Sequence, residues 1–317
     1  MNPHIDIRRL LLSHTFEMIL TVNTEPSVAV TGGSATVTDN LDGTYSITSK
    51  DNLTSFEITN TPARALITEA LLVKIPPTLA NCKMWFCTTM TTFTVDASCD
   101  TSTMTNFTNM FYSNEALTSV ANLDTSGGTD FSSMFNGCIT FNGNVDWLDT
   151  SNVTNNGLSS LFSGCSIFNQ PVPLLSCGTA FSMSSMFHNC FTFNQNLDHL
   201  DTSNITGMYF VIRDCNSFTH DLSGWNTDNV TDWRSSFEGC TSITELKINV
   251  LGNGSKVGLF QNMTGLVKIC GTIDTTQSVL STVNMFANTP ALTNPTALEI
   301  ADLTDGVDGA VVVTTCP

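Results

Sequence analysis

Positively charged side chains are what this sequence has least of. Only 12% of its 317 residues are charged, about half the usual share. The 28 Asp+Glu against 11 Lys+Arg give a net charge of −17, and neither Lys nor Arg occurs from Met84 to Ile212. Because such a surface repels phosphate backbones and anionic lipid headgroups, the composition argues against nucleic-acid binding and polybasic membrane attachment.

Long apolar segments are also missing. No stretch approaches the ~18 consecutive apolar residues of a membrane-spanning helix, although a hydrophobic content of 41% is enough to build a core. The run Arg8–Leu12 could begin a signal peptide, but Ser13–Thr15 interrupts it and no clear cleavage site follows. We therefore expect neither membrane insertion nor Sec-dependent export.

Recognisable catalytic motifs are absent as well. The five histidines are scattered, and none stands with a Ser or Cys in a nucleophile motif. No Gly-rich phosphate loop opens a helix, and no paired-carboxylate signature stands out. Cys82 and Cys87 are spaced more widely than the ligand pairs of zinc sites. We expect no enzymatic activity, no cofactor and no cysteine-based metal site.

What the sequence contains instead is a repeat. Five cysteines recur 27, 25, 25 and 25 residues apart, at Cys138, Cys165, Cys190, Cys215 and Cys240. A bulky apolar anchor recurs in the same register, at Phe86, Phe111, Phe135, Phe162, Phe187, Ile212, Phe237, Phe260 and Phe286. A fixed period of about 25 residues over residues 75–300 is the signature of a solenoid, in which successive units stack.

Each unit carries signals for one helix, one strand and one turn. Val230, Trp233 and Phe237 fall on one face of a short helix, and Gly239 after the anchor marks the helix end. Alternating apolar residues over 243–248 predict a strand, and Asp-Thr-Ser-Asn at 149–152 predicts a turn. We therefore predict about nine units of strand plus short helix, with a parallel sheet along one face.

One copy of the unit also points to a family. Asp149-Thr150-Ser151-Asn152-Val153-Thr154, followed by Leu161-Phe162-Ser163-Gly164-Cys165 and Phe168-Asn169-Gln170, resembles the BspA-like leucine-rich repeats. These repeats occur on bacterial surface proteins and in phage virion proteins, and the best matches lie within residues 124–240. The resemblance implies a leucine-rich-repeat fold and a role in attachment, and it brings no catalytic residues with it.

The first 62 residues do not show the repeat. Alternating runs at 28–31 and 35–38 precede Asp42-Gly43, a strong hairpin signal. We predict an N-terminal antiparallel β domain, or a sheet-like cap, over residues 1–62, with a docking or anchoring role. The solenoid would then span residues 63–300, and residues 301–317 would form a C-terminal cap or tail.

The repeated residues are interpreted mainly as structure. We expect a buried spine of Phe135, Phe162, Phe187 and Phe237 with the five repeat cysteines, Cys138, Cys165, Cys190, Cys215 and Cys240. Core packing of these thiols is favoured over disulfides or metal binding. A second row at Phe141, Phe168, Phe193 and Phe218 is expected to be core too.

Two sets of residues keep alternative roles. Asp124, Asp149 and Asp201 recur at one repeat position, where capping of the turn by each carboxylate is favoured over binding of a cation by a ladder of them. Trp147 and Trp225 lie beside that turn, and a partly exposed ligand-binding role stays open for both.

Attachment repeats without an export signal predict a bacteriophage virion structural protein displayed on the particle, as capsid decoration or in the tail or baseplate. The N-terminal domain would contact other virion proteins, and the solenoid would bind a host-surface receptor or glycan or stabilise the particle. Assembly would take place in the host cytoplasm and yield a homo-oligomer that follows the particle's symmetry. The alternative is an adhesin on the extracellular bacterial surface that binds a host protein or glycan.

Overall fold

The computed structural model describes residues 16–22, 25–26, 28–58, 66–248, 250, 254–273, 284–292 and 311–313. The Arg8–Leu12 run, the expected boundary at residue 62 and most of the segment 301–317 lie outside these residues. The strands are β1 Phe16–Thr21, β2 Val28–Thr31, β3 Thr36–Asp39, β4 Thr44–Ser49, β5 Ser55–Ile58, β6 Glu69–Lys74, β7 Asn81–Lys83, β8 Thr92–Val95, β9 Ser119–Ala121, β10 Thr154–Asn155, β11 Thr179–Ala180, β12 Glu245–Lys247, β13 Lys268–Ile273 and β14 Val311–Val313.

The repeats form a solenoid of about eight turns, and the prediction of a repeat solenoid is confirmed. Neighbouring coils are joined by backbone hydrogen bonds at equivalent positions. The N–H of Phe135 donates to the carbonyl of Leu161, and that of Phe162 to the carbonyl of Met186, each at 2.9 Å. The same link recurs at every anchor from Phe111 to Phe260. Each coil therefore satisfies its polar backbone through the next coil.

The short helix predicted for each unit is not there. No residue in the described ranges is helical, and the segment 131–137 with its equivalents is a chain of tight turns. Its N–H groups alternate in partner: Ser133 donates to Ser159 in the next coil at 2.9 Å, whereas Met134 donates back to Phe131 at 3.0 Å. Ser133 and Gly137 have positive φ angles of 56° and 78°, which ends any helical path.

Two physical causes favour turns over a helix here. A seven-residue segment makes few internal hydrogen bonds for the cost of helix nucleation. Ser, Asn and Gly are also weak helix formers, and Gly and Asn enter the left-handed region readily. The i, i+3 spacing of apolar residues is shared by both structures, so it could not distinguish them. Within the described part of the chain, no helix is long and apolar enough to cross a membrane.

The N-terminal strands continue the solenoid's sheets. The hairpin expected at Asp42-Gly43 is present, because β3 pairs with β4 in antiparallel register. The six-stranded sheet has the order β3-β4-β1-β6-β8-β9, antiparallel up to β6 and parallel from β6 to β9. A second sheet, β2-β5-β7, is antiparallel between β2 and β5 and parallel between β5 and β7. Strands on either side of residue 62 thus share two sheets.

One hydrophobic core runs through both parts. The rings of Phe16 in β1 and Phe56 in β5 stack at 4.9 Å between centroids and join the two N-terminal sheets. In the repeats the fully buried rings of Phe135, Phe162 and Phe187 stack at 5.5 and 5.6 Å. Their spacing follows the stacking distance of the coils. At the other end of the chain, β12 pairs in parallel with β13, and β13 pairs antiparallel with β14.

Candidate functional site

The predicted spine residues lie together in the interior. Phe135, Phe162, Phe187, Phe237 and all five repeat cysteines are 0% exposed. The five thiols are free, and each donates to the carbonyl of the anchor residue in the preceding coil. Cys190 Sγ, for example, lies 3.0 Å from Phe162 O. Burial raises the pKa of each thiol above its ordinary value. A neutral, buried, hydrogen-bonded thiol is a packing group and a poor nucleophile.

One predicted anchor is misplaced by two residues. The coil-to-coil hydrogen bond of the first repeat leaves from Met84, which donates to Met110 at 2.8 Å. Met84 is buried, while Phe86 is 42% exposed. The aromatic side chain drew attention to Phe86, but the column needs only a bulky apolar group, which Met84 supplies. Phe86 therefore lies on the surface.

The second row of phenylalanines is core, and its neighbour is an asparagine ladder. Phe141, Phe168, Phe193 and Phe218 are buried and stack at 5.9, 6.0 and 6.2 Å. The backbone N–H of Asn169 donates to Asn142 Oδ1 at 2.9 Å, and that of Asn194 donates to Asn169 Oδ1 at 2.8 Å. The Phe-Asn-Gln motif marks this ladder in the sequence, but the motif alone does not reveal that its asparagines link successive coils.

The Asp-Thr-Ser turns hold the coils together through threonine. Thr150 Oγ1 donates to Ser176 O at 2.7 Å and accepts from Ser176 N at 2.8 Å. The aspartates act within their own coil. Asp124, Asp149 and Asp201 each accept the backbone N–H two residues later, at 2.9, 2.8 and 3.0 Å. Ser176 interrupts the column between Asp149 and Asp201, so the carboxylates do not form a continuous ladder. Turn capping accounts for these side chains.

The two tryptophans beside the turn differ. Trp225 is buried at 3% exposure and donates its Nε1–H to Leu197 O at 3.1 Å. Trp147 is half-buried and donates to Asn144 O in its own coil at 3.1 Å. Trp225 is thus a core residue, and only Trp147 presents part of its ring to solvent.

Among the described residues, no group of three or more His, Cys, Asp or Glu is arranged to hold a metal ion. A shallow, open depression of about 380 Å³ lies near the C-terminal coils and is lined by Thr264, Phe286, Asn288, Thr289 and Pro290. It contains no ionisable side chain and so offers no acid–base chemistry.

The residues between the buried anchors of segment 131–137 and its equivalents form a surface that we call the turn face, and its residue types change along the described coils. In three successive coils these residues are small or polar: Ser132, Ser133, Asn136 and Gly137; Ser159, Ser160, Ser163 and Gly164; Ser184, Ser185, His188 and Asn189. In the next two coils they are Tyr209, Phe210, Arg213 and Asp214, then Arg234, Ser235, Glu238 and Gly239.

Four of these larger side chains and His188 from the preceding coil form one assembly, the aromatic–arginine cluster of His188, Tyr209, Phe210, Arg213 and Arg234. The rings of Tyr209 and Phe210 stack at 3.6 Å between centroids. The Arg213 guanidinium lies over Phe210 at 4.4 Å and that of Arg234 over Tyr209 at 4.8 Å. His188 contacts Phe210 at 5.2 Å. Sequence inspection missed this cluster, since its members come from three coils and follow no repeat.

Carboxylates hold both arginines in place. Arg213 pairs with Glu238 at 3.1 Å and with Asp214 at 3.3 Å. Arg234 makes a two-point contact with Asp232, Nε to Oδ1 at 2.8 Å and Nη2 to Oδ2 at 2.6 Å. Burial and the Arg213 charge lower the pKa of His188, against the opposing effect of the Asp214 and Glu238 carboxylates. The cluster is therefore preorganised.

Comparison with known protein families places the chain. Residues 81–176 and 157–270 match the family described as "Mycoplasma protein of unknown function, DUF285". Together the two segments cover more than half of the 317 residues. The chain belongs to this family. The second DUF285 segment contains all five residues of the aromatic–arginine cluster, and the five repeat cysteines lie within the two segments taken together.

Two solved structures are similar to this DUF285 chain. One is a crystal structure of a leucine-rich repeat protein from Bacteroides ovatus, with 14% identity and a TM-score of 0.36 over 86% of this chain and 75% of that one. The other is a leucine-rich repeat protein from Eubacterium ventriosum, with 12% identity and a TM-score of 0.34 over 84% of this chain and 90% of that one. No curated protein matches the sequence.

Proposed function

We propose that this protein is a non-enzymatic attachment module that binds its partner through the turn face. One observation carries the proposal. The inward positions of successive coils hold the same kinds of residue, while the outward positions change from mostly Ser, Asn and Gly over residues 132–189 to an aromatic–arginine cluster that draws on three coils. Folding selects the inward residues, because they fill the core. Binding specificity in repeat proteins lies in the outward residues that differ between repeats.

The setting we favour is the surface of a bacteriophage particle, as capsid decoration or in the tail or baseplate. The strands β1, β3 and β4 extend the main sheet at one end of the solenoid, which suits docking on other virion proteins through that end. The turn face then remains available along the stack for a host-surface receptor. The low content of Lys and Arg argues against a role on the packaged nucleic acid.

The alternative setting is the bacterial cell surface, where the same turn face would serve an adhesin. The observation that favours it is the description of the matching family, which names Mycoplasma, a bacterium. The chemistry of binding is the same in both settings. The two settings differ only in whether a phage particle or a bacterial cell carries the solenoid.

Mass spectrometry of purified phage particles and of surface-shaved host cells separates the two settings. Virion display predicts peptides of this chain in particles purified by density gradient, at a stoichiometry fixed by particle symmetry. The adhesin predicts such peptides among those released by protease from intact cells and none in particles. If the chain is found in neither fraction, attachment at a particle or cell surface is wrong.

A further inference from the structure

We propose that the aromatic–arginine cluster is the contact point for a partner protein whose binding surface carries net positive charge. This inference rests on the proposed attachment function and names its partner class. Tyr and Arg are, together with Trp, the residue types enriched in interface hot spots. Three independent features of the cluster support the assignment: backbone strain at Phe210, the placement of the chain's scarce cations, and coverage of the ring faces.

Every described coil after the first adopts a positive φ at the position of Phe210, and Phe210 places a bulky side chain there, as Phe86 does at a neighbouring turn position of the first coil. Phe210 has a φ of 57°, as do its equivalents in other coils, Asn109 (57°), Ser133 (56°), Ser160 (58°), Ser185 (58°), Ser235 (52°) and Gly258 (63°). Those are small or polar residues, whereas a bulky side chain in the left-handed region is an outlier. Serine would satisfy the fold at position 210. Strain that the fold does not need is concentrated at functional sites.

The chain's few cations are concentrated at the same place. Arg213 and Arg234 are the only Lys or Arg residues in the sequence from Met84 to Leu246, and each lies over an aromatic ring of the cluster. None of the residues at the equivalent positions of the other described coils is Lys or Arg, although they include bulky side chains such as Tyr112 and His188. The arginines are therefore not part of a repeated structural pattern.

The covered ring faces favour a protein over a sugar. A sugar binds an aromatic residue by lying on the open face of its ring. Here Tyr209 stacks on Phe210, the Arg213 guanidinium lies over the Phe210 ring, and that of Arg234 lies over the Tyr209 ring. The cluster presents ring edges, guanidinium groups and carboxylates instead. Aromatic rings and arginines are enriched at the contact surfaces between proteins.

The charge balance indicates a basic partner. Two arginines of the cluster face three carboxylates, Asp214, Asp232 and Glu238, and the whole chain carries −17. Asp214 and Asp232 keep 33% and 27% of their side chains exposed. Electrostatic complementarity therefore favours a partner with exposed Lys or Arg. It disfavours a second copy of this acidic chain, because the two would repel.

The test uses the full-length protein, a display library of random peptides and an array of neutral and acidic glycans. Phe210→Ser restores the residue found at the equivalent positions, so thermal unfolding should occur at the same or a higher temperature. Phe191→Ser is the matched control, since Phe191 is 44% exposed and outside the turn face. We expect Lys/Arg-rich peptides to bind the wild type and the control, to weaken with salt, and to bind F210S roughly tenfold or more weakly.

Equal binding of the peptides by F210S would overturn the proposal, and so would failure of any basic peptide to bind the wild type. A clear drop in the unfolding temperature of F210S would show that Phe210 serves the fold. Glycans that bind the wild type and not F210S would overturn the protein partner while leaving attachment through the turn face intact. Absence of both peptide and glycan binding would count against the attachment function itself.

Discussion

Removing one ring from the spine should destabilise the protein severely. Phe162 is fully buried, and its ring stacks at 5.5 Å on Phe135, at 5.6 Å on Phe187 and at 4.4 Å on Phe168. Phe→Ala substitutions in cores cost about 3–5 kcal/mol, and aromatic pairs add about 0.5–1.5 kcal/mol each beyond area burial. With three ring partners lost, we expect Phe162→Ala to lie at the upper end, about 4–5 kcal/mol. That is a large part of the roughly 5–15 kcal/mol that stabilises a typical domain.

Two matched variants make the measurement specific. Ile212 occupies the same column two coils later, so Phe162→Ile introduces a residue type that the column already accommodates. Phe162→Ile should therefore lower the unfolding free energy by less than half as much as Phe162→Ala. Phe191→Ala, at a partly exposed ring, should cost about 1 kcal/mol or less. Equilibrium unfolding in urea, followed by tryptophan fluorescence, gives the three free energies. The stacked spine is refuted if Phe162→Ala costs less than about 1 kcal/mol or no more than Phe191→Ala.

Three further predictions concern the thiols, the threonine links and acid stability. In the native protein a thiol reagent should modify Cys99 faster than Cys190, because Cys190 is fully buried while Cys99 is half-buried. Burial raises the pKa of Cys99 to about 11, so its modification should still be slow. Equal modification rates of the two cysteines in peptide mapping would contradict this prediction. Thr150→Val should lower the unfolding free energy by about 1–3 kcal/mol, because it leaves the N–H and the carbonyl of Ser176 without their hydrogen-bond partner. The exposed control Ser151→Ala should change the free energy of urea unfolding by less than about 0.5 kcal/mol. Equal losses in the two variants would contradict the threonine link between coils. Hydrogen bonds from the backbone N–H and the hydroxyl of Ser203 lower the pKa of the Asp201 carboxyl. The stabilising effect of this carboxylate is therefore full above its unfolded pKa of about 3.9 and is lost as pH falls through its lower folded pKa. The difference in unfolding free energy between wild type and Asp201→Asn should shrink between neutral pH and about pH 3, and a constant difference would contradict this prediction.

The register of the solenoid could be predicted because the inward positions are chemically constrained. Residues such as Phe162 and Cys165 must fit the same space in every coil, so their types recur at a fixed spacing. The same constraint made the burial of the second phenylalanine row, at Phe168 and Phe193, predictable. Buried positions in a repeat leave a periodic trace in a single sequence.

The helix could not be excluded from the sequence because its apolar spacing is ambiguous. Val230, Trp233 and Phe237 point inward from a chain of turns as well as from a helix. The informative signal was the polar residues between them. Residues such as Ser133 and Gly137, at regular positions in each coil, suit left-handed backbone and a hydrogen bond to the next coil.

The candidate site could not be predicted because it is not periodic. Tyr209, Arg213 and Arg234 break the pattern of their columns, and only the stacking of coils brings them together with His188. Of the columns that the cluster occupies, only that of Phe210 is otherwise filled by Ser, Asn or Gly from the second described coil on. Once the left-handed backbone of that column is known, Phe210 stands out as a departure from the fold's own requirement.

The most direct test of the stacked-turn architecture is a scalar coupling measured across a hydrogen bond by NMR on deuterated, isotope-labelled protein. The amide nitrogen of Phe135 should couple to the carbonyl carbon of Leu161, because its N–H donates to that carbonyl at 2.9 Å. A helix over 131–137 would instead couple the same nitrogen to the carbonyl carbon of Phe131, four residues earlier. Coupling to Leu161 supports coils joined through their turns, and coupling to Phe131 would contradict the fold on which every other conclusion depends.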